Sequence, residues 1–184
     1  MSGFEAFEKQ YGLPTQSRAL DEHELAAIRE KLPADLVEYF RRRGVGHFDG
    51  GLFRTVNPPT VAEVIGAWGE PRAHHSTYLI TAFGCFAYWD GSNNLFVNVW
   101  AGTTTRLFDN VADVFEGTLC DAGFIRSVLL RAEFRHAAQR LGAPADDECF
   151  GFFPAIALGG DGSPGTIRKV KLREHLALLA QLVD

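Results

Sequence analysis

YLITAFGCFAYWDGSNNLFVNVW, residues 78–100, is the most continuously apolar stretch of this chain. Leu79 to Trp89 is dense in aromatic and β-branched residues, which suit a pleated, packed surface. Asp90-Gly91-Ser92-Asn93-Asn94 follows, and these residues accept turn geometry. Leu95 to Trp100 then resumes the apolar pattern. Period-two alternation puts Phe83, Cys85, Ala87 and Trp89 on one face and Ala82, Gly84, Phe86 and Tyr88 on the other. Both faces are apolar, so the stretch reads as a central hairpin covered on both sides. The rest of the chain must supply that cover.

Working outward, the first 70 residues are rich in helix signals. Gly3 to Tyr11 carries Phe4 and Phe7 on one face. Asp21-x-x-Glu24 has the form of a capping box, with Leu20 and Leu25 as its hydrophobic staple. Pro33 opens a helix over residues 34–43, and Gly44 stops it. One kinked strand is expected over residues 48–56, and a second capping box at Thr60-x-x-Glu63. Gly69 to Ser76 is polar and turn-rich, which sets an expected division into residues 1–72 and 73–184. Beyond the hairpin, a strand is expected over 103–108 and helices over 110–120, 124–141 and 172–183. The 149–158 stretch reads as ending in a strand-like AIAL, and 166–170 as a short strand. The class is α+β: a helix-rich N-terminal lobe packed on a C-terminal lobe with a mainly antiparallel sheet and flanking helices.

The net charge of −5 over 184 residues argues against a nucleic-acid surface, which needs a basic excess or stripe. Arg41-Arg42-Arg43 is the one basic run, and it falls where a helix C-terminus favours cations. Three widely spaced cysteines form no C-x-x-C and suit a reducing cytosol. No secretory leader is read in residues 1–20, and no run approaches the roughly 18 apolar residues of a membrane span.

Candidates for chemistry each meet a simpler reading. Gly159 to Gly165 lacks the Lys-Ser/Thr pair that completes a phosphate loop, and Asp161 would repel an anion. His74-His75 are adjacent on a loop and have no second ligand pair nearby. His23, His47, His136 and His175 are isolated and read as surface or helix-face residues. Cys85 sits mid-strand among apolar neighbours, where a thiol is inert. No nucleophile, base and oxyanion donors converge, so the sequence points to no enzyme, cofactor or metal. What remains is acidic and aromatic surface: Asp109, Asp113 and Glu116 near one helix face, Asp146 and Asp147 in a loop, and Trp89 with Asp90 at the hairpin turn. These seven residues are the candidate contacts for a basic protein partner.

FEAFEKQYG, KLPADLVEYFRRRG and DGGLFRTVNP, within residues 4–70, resemble the GAD-like domain. TAFGCFAYW, CFGFFPAIALGG and REHLALLAQL, within residues 78–184, resemble the C-terminal domain that accompanies it in Tdi-type immunity proteins of bacterial type VI secretion. LPADLVEYFRRRG is also similar to SUKH-type immunity proteins, which implies as an alternative an immunity protein to another nuclease toxin. The resemblance implies a cytoplasmic protein that binds and neutralises a cognate DNase toxin. Two other functions are weighed against it. One is a small-ligand or enzymatic site in the cleft between the lobes. The other is a transfer-RNA module, suggested by the GAD name and opposed by the charge.

Overall fold

Seven strands pair antiparallel in chain order to form one sheet: β1 (Thr15–Arg18), β2 (Val45–Phe48), β3 (Phe53–Thr55), β4 (Ser76–Thr81), β5 (Phe86–Trp89), β6 (Asn94–Asn98) and β7 (Thr103–Arg106). The computed structural model describes residues 3–69 and 75–183. Residues 70–74, with His74 and most of the expected seam, lie outside the described residues. A separate antiparallel pair joins β8 (Glu148–Phe152) to β9 (Ile167–Lys171). Eight helices surround these sheets among the described residues: α1 (Glu5–Tyr11), α2 (Glu22–Ile28), α3 (Ala34–Arg43), α4 (Pro58–Gly66), α5 (Val111–Asp113), α6 (Ala122–Ser127), α7 (Arg131–Leu141) and α8 (Leu172–Ala180). The architecture is α+β, as expected.

The central stretch folds differently from a single hairpin. Residues 79–89 are not one strand. The chain reverses between β4 and β5, with Gly84 at φ 77, where a side chain would be strained. β4 is buried along its whole length, and most of β5 and β6 is buried too. β1 and β7 form the sheet's two exposed edges. β3 pairs with β4, so the sheet runs on both sides of residues 70–74.

Other expectations are corrected in the same local way. The kinked strand over 48–56 is the β2–β3 hairpin, turned at Asp49–Gly51 with Gly50 at φ 70. The N-cap of α4 is Asn57, three residues before the expected Thr60, because Pro58 and Pro59 fit the first helical positions, where no N–H is needed. The helix over 124–141 is α6 and α7, separated by Leu130 in the left-handed conformation at φ 55. α5 runs into a π-helical turn over Val114–Thr118. AIAL is no strand: Pro154 cannot donate to a ladder, and Ile156–Leu158 coils as a 3-10 turn. By contrast, the Asp21–Glu24 capping box forms in full, and Gly44 ends α3 at φ 73.

An aromatic core ties the N-terminal helices to the C-terminal half. Phe4 stacks on Tyr39 with ring centroids 4.5 Å apart, and Phe7 meets Phe48 at 5.0 Å and Phe115 at 4.9 Å. The Tyr11 hydroxyl donates to the Leu119 carbonyl at 2.6 Å. A second cluster seats the small sheet: Phe83 stacks on Phe152 at 5.5 Å, and the Phe150 N–H donates to the Ala82 carbonyl at 2.7 Å.

Candidate functional site

The β2–β3 register places His47 opposite Arg54. Cross-strand partners share a face. Phe48 and Phe53 pair beside them and send their rings to the aromatic core, so His47 and Arg54 face the other way. There they meet Asp146 on the turn before β8. His47 Nε2 lies 2.9 Å from Asp146 Oδ1. The Arg54 guanidinium donates to the Asp146 carbonyl at 2.5 Å and stands 3.6 Å from its carboxylate. The Arg54 side chain is 12% exposed and that of Asp146 is 81% exposed. Burial pulls the Arg54 pKa below its ordinary value.

These residues line a cleft of about 410 Å³. Its apolar wall is Val45, Val56, Val61, Val64 and Leu172. Its polar lining includes Arg18, His47, Arg54, Asn57 and Asp146. Behind the wall a network fixes Asn57. Arg18 forks onto Glu24 at 2.8 and 2.9 Å, the Asp21 N–H donates to Glu24 at 3.1 Å, and the Asn57 amide donates to Glu24 at 3.0 Å. The Arg18 bond, helped by the Asp21 N–H, lowers the Glu24 pKa to about 2. The Asn57 amide oxygen, in a residue 3% exposed, has no hydrogen-bond partner among the described residues.

The seven residues singled out from the sequence do not form one cluster. Trp89 is half-buried and pairs across the ladder with Asn94, whose amide donates to the carbonyls of Phe108 and Asp109. This brings Trp89, Asp90 and Asp109 together. Asp90 accepts from the N–H groups of Ser92 and Asn93 and closes its own turn. Asp109 pairs with Arg106 at 2.7 Å. Asp113 is exposed, and Glu116 accepts from the Ala6 N–H. Asp146 and Asp147 lie elsewhere, beside β2 and β3, and Asp147 pairs with Lys171 at 2.6 Å. Sequence reasoning missed Arg54, Asn57 and the role of His47. The available signal was a lone arginine beside Leu52 and Phe53 in an expected strand.

Chemistry elsewhere is muted. Cys85 is buried, and burial pushes its thiol up to about 11. Among the described residues no group of three His, Cys, Asp or Glu is placed to hold a metal, and no helix is long and apolar enough to cross a membrane.

Residues 2–101 match the family model of the GAD-like domain, and residues 110–183 match that of the T6SS immunity protein Tdi1, C-terminal. This chain belongs to the GAD-like, Tdi1-type family of type VI secretion immunity proteins. In this Tdi1-type protein the cleft lies where the two matched regions meet, with Asp146, Asp147 and Leu172 from the second and its other lining residues from the first. No curated protein matches the chain. Among solved structures it is similar to Atu4351 from Agrobacterium tumefaciens, at 20% identity and a TM-score of 0.77, over 97% of this chain and 88% of that one. At that identity the likeness speaks to the fold alone.

Proposed function

We propose that this Tdi1-type protein binds and neutralises a DNase toxin of type VI secretion in the cytoplasm, with no catalysis of its own. The observation that carries this reading is the succession of the two family regions along nearly the whole chain. Charge supports the choice of partner. A DNase must hold a polyanion, so its active-site cleft is basic. A protein of net charge −5 that exposes Asp109 and Asp113 suits such a cleft. Trp89, beside Asp90 and Asp109, is the proposed aromatic anchor, with Glu116 at the margin and Asp146 and Asp147 as a second acidic contact. Rim charges set the association rate, and a buried aromatic sets the lifetime.

The experiment is co-expression with a type VI secretion DNase, followed by stopped-flow association at several salt concentrations. Cells making the nuclease should survive only when this protein is present. Charge reversal at Asp113 should slow association and flatten its salt dependence. Trp89→Ala should speed dissociation by about tenfold, equivalent to roughly 1.4 kcal/mol. Survival without complex formation would refute neutralisation by binding.

A further inference from the structure

We infer that the cleft beside β2 and β3 binds a small carboxylate with an apolar body, its acidic group seated on Arg54 and His47 in place of the Asp146 side chain. A cleft of about 410 Å³ with mainly aliphatic walls and a few converging polar groups has the form of a small-molecule site. Two further observations define the ligand.

The first is an asymmetric ion pair. Arg54 and His47 have side chains 12% and 14% exposed and lie in a sheet, while Asp146, the counter-ion of Arg54, is 81% exposed on a turn. A buried guanidinium needs a counter-charge, and a planar carboxylate matches its fork. Asp146 supplies that charge from the solvent side, at 3.6 Å from the nearer guanidinium nitrogen, which is beyond hydrogen-bond length. Arg54 and His47 are held within the sheet, and the carboxylate that meets them stands on an exposed turn. The group that Asp146 presents is the group a ligand would present.

The second is the aliphatic wall of Val45, Val56, Val61, Val64 and Leu172, which would take up an apolar body. This inference does not depend on toxin neutralisation, and its test reads ligand binding directly.

The test is titration calorimetry of the whole protein with 3-hydroxyoctanoate and 4-hydroxyphenylacetate, an aliphatic and an aromatic hydroxy acid, and with their methyl esters. At least one acid should bind, with its ester weaker by about tenfold or more, the factor set by about 1.4 kcal/mol of lost charge-assisted bonding. Asp146→Asn should tighten the acid severalfold, because the competing carboxylate is gone. Arg54→Lys should weaken it about tenfold. Asp146 is exposed, so its variant should fold even if the Arg54 variant does not, and thermal melting checks both. No binding of either acid at millimolar concentration overturns the inference. So does equal binding of acid and ester, or an affinity that Asp146→Asn leaves unchanged.

Discussion

The Glu116 carboxylate accepts a hydrogen bond from the backbone N–H of Ala6 at 2.9 Å, across 110 residues of chain. Ala6 lies in the first turn of α1, where backbone N–H groups have no partner within the helix. The α1 N-cap residue, Phe4, offers no side-chain acceptor. Glu116 thus caps α1 from the π-helical turn of the C-terminal half, and negative charge there also favours the helix dipole.

Removing this cap should loosen α1. Glu116→Ala is expected to lower folding stability by about 1 kcal/mol, the usual cost of a lost N-terminal cap. Glu116→Gln keeps an acceptor oxygen and should lose less. Urea unfolding of the three proteins measures both. Equal stability of the alanine variant and the parent would assign Glu116 to the surface alone.

Phe7 is fully buried against Phe48 and Phe53 of the sheet and Phe115 of the C-terminal half. Phe7→Ala should cost about 3–5 kcal/mol. The same packing links both halves, so the parent should melt in one transition by circular dichroism and by tryptophan fluorescence. Two separated transitions would show that the halves fold independently.

His175 is buried on α8, and burial lowers its pKa to about 4 from an ordinary 6.5. Between those values the unfolded chain takes up a proton that the folded chain refuses. Stability therefore falls as pH drops from about 6.5 toward 4, by a total on the order of 3 kcal/mol, and His175 adds no further loss below that. Glu24 acts in a lower window. Its pKa is depressed to about 2, so its contribution is complete above its ordinary 4.5 and is lost as pH falls toward 2. Denaturant midpoints at stepped pH should show the first decline in the parent and a flatter one in His175→Gln.

Thiol labelling should separate the cysteines. Cys85 and Cys149 are buried, and burial raises both pKa values. Cys120 is half-buried. Under native conditions one thiol, Cys120, should react before the other two, which should need unfolding. Mass spectrometry of labelled peptides gives the order. Fast labelling of Cys85 would contradict its place between β4 and β5.

The sequence by itself determined what local chemistry controls. The α+β class, the Asp21–Glu24 capping box, the stop at Gly44 and the apolar centre over 78–100 all depend on neighbours in the chain, and all were legible. The seven candidate contacts were legible as acidic or aromatic residues, but not by what holds them. Glu116 and Asp147 find their partners 110 and 24 residues away. Only the tertiary structure decided where the apolar centre turns, because one glycine at positive φ outweighs a continuous strand pattern. It also made a strand of exposed Thr15–Arg18, whose ladder partner lies in β2 and whose own pattern carries no strand signal. His175 read as a surface residue because its cover, Gly151 on β8, comes from another element. His47, Arg54 and Asp146 became one site for the same reason. A register between two strands and a turn some 90 residues further on must all be set before their charges meet, and no local pattern records that pairing.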